Sequence, residues 1–370
     1  MIYLDNASTT KTSESVNRKM LDALEVDYFN PSSLHTPGFL VRQKIEKCRK
    51  NILSLLGANG FDLVFTGSAT EANNMALSQA IRGKILVGGG EHPSVLEKAK
   101  SLKEQGRDVE ILPLDENGCV NVDAFKLAMT KDVSFVSVQL VSNETGAIND
   151  IAKISKIAKQ INPRVIVHSD MVQAFGKIPV KISSVGVDLA SISAHKINGP
   201  KGIGALVFAK TIKPRPIIFG GGQENGLRSG TENVPQILAF GEAIKNAAEN
   251  QVQNYNNAAQ MREFLLEEFG KNGLKFSVHG NGSPFVLSVS FEGIRGETLM
   301  HALEQDEILI STGSACSSKK AGNVTLSAMG AAGDDILGNV RISFGSELLS
   351  SEQLKFVANS ITKRVNELRK

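Results

Sequence analysis

The feature that most constrains this chain is an alternation of short apolar segments with segments of helical spacing between Phe61 and Lys210. The apolar segments are FDLVFT, KILVGG, VSFVSVQLV, RVIVHSD, VDLASIS and KGIGALVFAK. Most are rich in Val and Ile and apolar along their length, whereas a strand with one face in water alternates apolar and polar residues. The pattern therefore predicts an α/β fold with a parallel sheet that helices cover on both faces.

Unusual polar residues follow these predicted strands. Thr70, His92, Asn143, Asp170 and Lys196 each come just after an apolar segment. Parallel sheets bind ligands at the carboxyl ends of their strands, so these five side chains are expected to meet at one edge of the sheet. Each position alone has an ordinary structural explanation, and the joint pattern is what indicates a site.

Lys196 ends the strand in the stretch VDLASISAHKINGP. A lysine at the mouth of a sheet is partly shielded from water, and desolvation favours the neutral amine that can form a Schiff base with an aldehyde. The alternative for a single lysine is a solvated side chain that closes a strand.

The stretch FTGSATEANN reads as a strand, a turn of small residues and a helix, with Ser68 and Glu71 in a capping-box pattern. The turn from Gly67 to Thr70 leaves backbone N–H groups free at the helix start, where they could hold a phosphate. The alternative is an ordinary connection between a strand and a helix.

Together these groups fit pyridoxal phosphate. Asp170 would pair with the ring nitrogen, Gln173 would donate to the ring oxygen, and His92 would lie on the face of the ring. Ser193 and His195 would add to the phosphate site. An isolated aspartate after a strand is more often a helix cap, and an isolated histidine is more often a satisfied surface group.

Composition narrows the class of protein. A chain of 370 residues with 41% hydrophobic content can bury a large core, and two structural units are expected. The net charge of +3 argues only weakly for nucleic-acid or membrane binding, and we predict neither. The start MIYLDNASTT does not look like a signal peptide, and three cysteines are too few for a disulfide framework, so we expect a reducing cytoplasm.

The part of the chain after about Glu249 alternates strands with helices and predicts a smaller α+β domain. We expect the first residues of the chain to join this domain. It contains Cys316 in STGSACSSKKAGN, a predicted loop in which Lys319 and Lys320 would favour the thiolate. The alternative for Cys316 is an incidental exposed thiol, whereas Cys48 lies on an apolar helix face and is expected in a core.

Arg341 lies in NVRISFG, where strand periodicity directs it away from the core that holds Val340 and Ile342. A guanidinium fixed in this way could bind a substrate carboxylate with two hydrogen bonds. The alternative is a salt bridge on the surface.

These motifs are similar to those of the cysteine desulfurases, in the class V aminotransferase-like group of fold-type I pyridoxal phosphate enzymes. The matching stretches keep the order of that family over nearly the whole chain: YLDNASTT, NPSSLH, FTGSATEANN, EHPSV, SNETG, HSDMVQAFGK, SAHKINGPKGIGAL, RSGTEN, STGSACSS and NVRISFG. The resemblance implies conversion of L-cysteine to L-alanine, with sulfur left as a persulfide on an enzyme cysteine and then passed to an acceptor protein.

The resemblance also implies a fold and a set of roles. It implies a large domain (13–248) with a mostly parallel seven-stranded sheet and a small α+β domain (1–12 and 249–370) that carries the cysteine loop. The implied roles are Lys196 as the Schiff-base lysine, Asp170 at the ring nitrogen, His92 on the ring, Asn143 and Gln173 as further cofactor contacts, Ala69, Thr70, Ser193, His195 and Thr231 at the phosphate, Arg341 with Asn143 at the substrate, and Cys316 as the sulfur acceptor. No metal is implied. Thr231 would reach the phosphate of a neighbouring subunit, which implies a homodimer.

Alternatives remain at this point. A selenocysteine lyase or another class V aminotransferase or lyase would share the cofactor residues, and a sulfur-assembly scaffold or a plain phosphate-binding module would need no catalysis. Relatives dedicated to iron–sulfur assembly often have a longer tail for docking a scaffold protein. Members of the family in general often have a proline soon after the cysteine loop, where this chain has Gly322-Asn323-Val324. The acceptor, an iron–sulfur scaffold or a tRNA-thiolation enzyme, therefore stays open.

Overall fold

The computed structural model describes residues 1–280, 282–312 and 323–369. Within these ranges there are twelve strands: β1 (Ile2–Tyr3), β2 (Phe61–Thr66), β3 (Lys84–Gly88), β4 (Val109–Leu112), β5 (Val133–Ser137), β6 (Ile166–Asp170), β7 (Leu189–Ser193), β8 (Gly204–Ala209), β9 (Phe276–His279), β10 (Val286–Phe291), β11 (Ile308–Leu309) and β12 (Asn339–Ser343).

The same ranges contain twelve α-helices: α1 (Glu14–Val26), α2 (Thr36–Leu55), α3 (Ala69–Leu77), α4 (Pro93–Glu104), α5 (Val122–Ala128), α6 (Ile151–Ile161), α7 (Val234–Glu249), α8 (Gln251–Lys271), α9 (Gly296–Glu304), α10 (Val324–Ala328), α11 (Asp334–Leu337) and α12 (Ser351–Leu368). Short 3-10 helices lie at Ile182–Ser184, Ala194–Lys196 and Glu224–Gly226. No helix in the described part of the chain is long and apolar enough to cross a membrane.

Seven strands of the described residues form the large sheet, in the order β2-β8-β7-β6-β5-β3-β4. Neighbouring strands are parallel except at β8, which is antiparallel to both β2 and β7. The direction of β8 follows from its short connection to β7, residues 194–203, because a parallel crossover needs a dozen residues or more. The parallel sheet predicted from the apolar segments is correct except at β8, and the mostly parallel seven-stranded sheet that the resemblance implies is confirmed. The carboxyl ends of the other six strands share one edge.

Both faces of the large sheet are buried, as continuous apolar strands require. In β3, Leu86 packs into the cluster on one face, whereas Ile85 and Val87 pack into the cluster on the other. All three side chains are fully buried. The rule that successive side chains of a strand point to opposite faces thus accounts for two core layers around one sheet.

A separate apolar cluster surrounds the small sheet, which has the order β12-β10-β9 and antiparallel pairing. This cluster includes side chains of β10, β12, α8, α9 and α12, and the N-terminal Ile2 and Leu4 also belong to it. The strand β1 pairs with β11 in parallel. We propose the domain limits given above, 13–248 against 1–12 with 249–370, and this grouping of the cores supports them.

Residues 5–10, which we call the N-terminal segment, run from the small sheet to the edge of the large sheet. Asp5 forms a β-bridge with Ser343 at the end of β12. Five residues later, Thr10 donates its backbone N–H to the carbonyl of His195 at 2.9 Å. The segment therefore lies between Arg341 on β12 and Lys196 after β7.

Candidate active site

Lys196 lies in the 3-10 turn Ala194–Lys196, directly after β7. Its Nζ donates to the carbonyls of Ala7 and Ser8, both at 2.6 Å. Burial, helped by the positive charge of Arg341 and opposed by nearby carboxylates, lowers the pKa of Lys196 to about 8. The neutral amine is therefore accessible near neutral pH, as a nucleophile or a base requires.

Asp170 ends β6 and is buried, with 7% of its surface exposed. Its Oδ2 accepts from Asn73 Nδ2 at 2.7 Å, and its Oδ1 accepts from the backbone N–H of Val172 at 2.9 Å. Asn73 Nδ2 also donates to Ser94 Oγ at 2.8 Å, and Ser94 Oγ lies 2.8 Å from His92 Nδ1. A chain of hydrogen bonds thus holds the carboxylate and the imidazole in fixed orientations.

His92 caps the N-terminus of α4 with its Nδ1, which accepts from the backbone N–H of Ser94 at 3.1 Å. Burial lowers the pKa of His92, and the charge of Lys196 acts in the same direction while Asp170 opposes it. The imidazole is therefore expected to be neutral at pH 7, with Nε2 as the nitrogen left to act on a ligand.

Gln173 lies one turn after β6 and is also buried. Its Nε2 donates to the carbonyl of Ala7 at 2.9 Å, the same carbonyl that accepts from Lys196. Its Oε1 accepts from the ammonium of Lys177 at 2.7 Å. Sequence reasoning did not assign Lys177, although it stands in the quoted stretch HSDMVQAFGK.

The start of α3 lies beside the ends of β7 and β8. Gly204 pairs with Thr66 on one side and with Ser193 on the other. A Cβ at Gly204 would lie 2.8 Å from the backbone nitrogen of Ala69, so only glycine lets α3 begin this close to the sheet. Ser193 is buried, and Thr70 is exposed in the first turn of the helix.

The capping pattern at this helix differs from the predicted one. Ser68 Oγ accepts from the backbone N–H of Glu71 at 3.2 Å, as expected. The Glu71 carboxylate accepts from the N–H of Gly67 at 2.8 Å rather than from that of Ser68, and it also binds Arg228 at 3.0 Å. Because its carboxylate is held by Gly67 and Arg228, Glu71 does not accept from the backbone N–H of Ser68, and the second hydrogen bond of the capping box is not made.

His195 and Thr231 were also predicted at the phosphate. His195 Nδ1 lies 3.2 Å from Thr9 Oγ1, and burial together with nearby lysines lowers the pKa of its imidazole to about 4. Thr231 is exposed in the loop before α7. Within the described residues, no hydrogen bond joins Thr231 to the groups around Lys196.

Arg341 lies on β12 and is 4% exposed. Its Nη2 donates to Ser8 Oγ at 2.7 Å and to Asp5 Oδ1 at 3.0 Å. Its Nη1 donates to the carbonyl of Asn143 at 2.9 Å and to Glu144 Oε1 at 3.3 Å. The alternative of a surface salt bridge therefore does not describe this arginine, which is held in a fixed orientation inside the site.

Glu144 is a second residue that sequence reasoning did not assign, although it follows Asn143 in the quoted stretch SNETG. Burial raises the pKa of Glu144 to about 7, while the neighbouring Arg341 opposes the rise. Among the described residues, Glu144 Oε2 and Arg341 Nε are buried polar atoms without a hydrogen-bond partner. Buried atoms of this kind are uncommon and indicate a place where a polar ligand could bind.

Cys316, the predicted sulfur acceptor, lies outside the described residues. The cysteines within them are Cys48 and Cys119, and both are free thiols. Burial raises the pKa of Cys48 to about 12 and that of Cys119 to about 11, so both thiols are neutral at pH 7 and poor nucleophiles. The expected core position of Cys48, with 7% exposure, is confirmed.

The chemistry of this donor set fits pyridoxal phosphate. An aldehyde needs an amine with a lowered pKa, which Lys196 offers, and a pyridinium nitrogen needs a fixed carboxylate such as Asp170. A phosphate needs backbone N–H groups at a helix start, which α3 offers beside Ser193.

The chain is similar to known proteins over nearly its whole length. The family model described as "Aminotransferase class-V" matches residues 2–353. A curated relative, the cysteine desulfurase IscS of Dictyoglomus turgidum, is 36% identical over 378 residues, which cover 100% of this chain and 95% of the relative. A solved structure of a NifS-like protein has a TM-score of 0.91 and 32% identity, with 99% of this chain and 100% of that chain covered. A structure of SspA in complex with cysteine has a TM-score of 0.81 and 27% identity, with coverage of 94% and 100%.

Proposed function

This chain belongs to the aminotransferase class-V family, and we propose that it is a cysteine desulfurase, an enzyme that converts L-cysteine to L-alanine and keeps the sulfur as a persulfide. One observation carries the proposal beyond the family: a lysine suited to a Schiff base and an arginine suited to a carboxylate converge on a single residue. Lys196 binds the Ser8 carbonyl and Arg341 binds the Ser8 hydroxyl. An amino acid held by Arg341 would thus have its α-carbon close to Lys196.

Pyridoxal phosphate is the proposed cofactor. When bound, it supplies an electron sink for the carbon from which a proton is removed. The residues proposed to hold it are Lys196, Asp170, His92, Asn143 and Gln173 around the ring, and Ala69, Thr70, Ser193, His195 and the Thr231 of a neighbouring subunit at the phosphate. The lowered pKa values of His92 and His195 leave both rings neutral, so they donate or accept hydrogen bonds without adding charge.

The protein groups divide the reaction between them. Arg341 and Asn143 hold the substrate carboxylate, and this fixes the orientation of the α-carbon. The neutral amine of Lys196 takes the α-proton and later returns a proton to the carbon fragment that becomes alanine. His92, held through Ser94, moves a proton near the substrate thiol. The Cys316 thiolate attacks the substrate sulfur, so that the new S–S bond forms as the C–S bond breaks.

The experiment that tests this function is a sulfur-labelling assay with L-[³⁵S]cysteine. We expect the wild type to form one equivalent of alanine and to retain label that a thiol reductant releases. Cys316→Ser should lose the label, whereas Cys119→Ser, a change at a neutral and half-buried thiol, should keep it.

Other outcomes of this assay point to the alternatives. Full alanine release by Cys316→Ser would contradict the desulfurase function and favour a lyase such as selenocysteine lyase. A purified wild type that binds no pyridoxal phosphate and releases no alanine would favour a non-catalytic scaffold.

We also propose a homodimer with composite sites. Thr231 is exposed, and α1 with the loop after it exposes a set of large apolar side chains, namely Leu21, Leu24, Val26, Tyr28 and Leu34. Mixing Lys196→Ala with Thr231→Ala tests this arrangement, because a mixed dimer would contain one site with both residues intact. Recovery of activity in the mixture supports composite sites, and a monomer in sedimentation would contradict them.

The sulfur-acceptor protein and the cellular location of the enzyme are also proposals. An iron–sulfur scaffold and a tRNA-thiolation enzyme are the two classes of acceptor, and capture of proteins by the ³⁵S-labelled enzyme from cell extract would distinguish them. We propose the cytoplasm as the location, and fractionation of the source cells tests it.

A further inference from the structure

Lys177 is a buried cation to which the proposed mechanism gives no role. Only 6% of its surface is exposed, and no carboxylate of the described residues lies within 4.0 Å of its Nζ. Its one side-chain hydrogen bond in that part of the chain goes to Gln173 Oε1 at 2.7 Å, and its Nζ lies 5.7 Å from the centroid of the Phe285 ring. A lysine is costly to bury without an anion, so this position calls for a functional explanation.

The hydrogen bond fixes which way the Gln173 amide faces. An ammonium group has donors and no acceptor, so it can bind only the oxygen of the amide. The nitrogen of Gln173 must then face the other way, where it donates to the Ala7 carbonyl at 2.9 Å. Lys196 donates to the same carbonyl at 2.6 Å, so the Gln173 nitrogen and the amine of the proposed Schiff base share one acceptor and lie on the same side of the Gln173 amide.

The surroundings of Lys177 make this bond sensitive to charge. Burial, helped by the positive charges of Lys196 and Arg341, lowers the pKa of Lys177 to about 7. Lys177 in turn lowers the pKa of His195. The neighbouring positive charges repel the Lys177 ammonium. Its favourable contacts are the amide oxygen of Gln173 and the ring of Phe285.

We propose that Lys177 is a positioning residue that holds the Gln173 amide with its nitrogen toward the ring oxygen of the bound cofactor. The proposal rests on the proposed function, because that function places a cofactor ring beside Lys196. Without Lys177 the amide can rotate, and the donor to the ring oxygen is lost for part of the time.

The test is a spectroscopic pH titration of the protein loaded with pyridoxal phosphate, which reads the charge state of the cofactor independently of activity. A donor to an anionic ring oxygen favours the charged form, so its loss should raise the pH midpoint of the visible band. We expect Lys177→Met to raise this midpoint by about one pH unit and Lys177→Arg to recover at least half of the shift. Lys271→Met, the same change at an exposed lysine on α8, should leave the midpoint unchanged.

The double variant separates positioning from a direct effect of charge. If Lys177 acts through Gln173, Lys177→Met should cause no further shift in a Gln173→Ala background. Shifts that add in full would overturn the proposal, as would an unchanged midpoint in Lys177→Met. If the wild type takes up no cofactor, the proposed function fails first, and that result is distinct from an unchanged midpoint in loaded protein.

A measurement on the wild type covers the case in which Lys177→Met does not fold or no cofactor binds. With ¹⁵N-labelled glutamine, the side-chain amide of Gln173 should give two sharp, slowly exchanging signals at pH 6, where Lys177 is charged. These signals should broaden as the pH rises through about 7, the pKa of Lys177. Signals that stay sharp to pH 9 would show that Lys177 does not hold the amide, and the proposal would be wrong.

Discussion

Two cations, the partly buried Lys196 and the buried Arg341, face each other across the N-terminal segment, and their partners differ in kind. Lys196 binds two neutral carbonyls, those of Ala7 and Ser8. Arg341 binds two carboxylates, Asp5 and Glu144, together with the hydroxyl of Ser8. Carbonyls offset the cost of burying a charge less than a paired carboxylate does, and burial together with the positive charge of Arg341 brings the pKa of Lys196 to about 8.

The difference explains why one site uses lysine and the other arginine. A group that takes and returns protons must be able to lose its charge, and a lysine among carbonyls can do so. A group that binds a carboxylate must stay charged, and a guanidinium between two acids does so at any physiological pH. Substitutions at each cation, and then at the groups around it, test whether this division holds.

Replacement of Lys196 by arginine should abolish turnover. The variant keeps a cation at the end of β7 but loses the titratable amine, so we expect alanine formation to fall by about 10³-fold or more. Lys201→Arg, at an exposed lysine five residues later, is the matched control and should keep full activity. Turnover by Lys196→Arg within tenfold of the wild type would show that any cation suffices there.

Replacement of Arg341 by glutamine should mainly weaken substrate binding. The loss of two charge-assisted hydrogen bonds to a carboxylate should raise KM for L-cysteine by about 100-fold. It also leaves Asp5 and Glu144 without their cation, so unfolding in urea should show a loss of about 3–5 kcal/mol.

Arg364→Gln is the control for this change, since Arg364 pairs with Asp306 away from the site. It should leave KM unaltered. A variant Arg341→Gln that loses stability while KM stays the same would make Arg341 a structural residue.

Replacement of Ser8 by alanine separates the two cations most sharply. The change removes the hydroxyl that Arg341 binds at 2.7 Å and keeps the carbonyl that Lys196 binds at 2.6 Å. We expect KM for L-cysteine to rise about fivefold, because a hydrogen bond to a charged group is lost, while kcat stays within twofold. A fall in kcat with constant KM would show that the Ser8 hydroxyl acts on the proton transfers of Lys196 and not on the binding of substrate by Arg341.

How far the sequence could predict this site depends on the range of the contacts. The strands and the residues that end them, such as Asp170 and Lys196, are predictable because apolar runs and turns are local patterns. The role of Ser8 was not predictable from patterns, since its contacts join residues far apart in the chain. Asn73, on α3, and Lys177, in the turn after β6, were missed for a related reason: a polar residue outside the strands looks solvated until the facing element is known.

Glu144, which was not assigned from the sequence, matters most for the difference between the two cations. It lies beside Arg341, and its charge can change near neutral pH. Its pKa of about 7 means that it is largely neutral at pH 6 and charged at pH 8 and above. A charged Glu144 would compete with the substrate carboxylate for Arg341. We therefore expect KM for L-cysteine to rise with pH above 7 in the wild type, and Glu144→Gln to remove that part of the rise.

The KM of the wild type divided by the KM of Glu144→Gln at the same pH isolates this effect. Titration of L-cysteine itself affects both values equally and cancels. The ratio should be near one at pH 6 and about fivefold at pH 9. The pH dependence of the free energy of unfolding gives an independent test. Because the pKa of Glu144 is higher in the folded protein than the usual 4.5, this group stabilises the fold at pH values below 4.5. The stabilisation is lost as the pH rises through about 7, the pKa in the folded protein. The wild type should thus lose stability relative to Glu144→Gln between pH 4.5 and 7. A constant KM ratio together with parallel stability profiles would mean that Glu144 stays charged throughout, and that Arg341 binds its substrate in spite of two permanent acids.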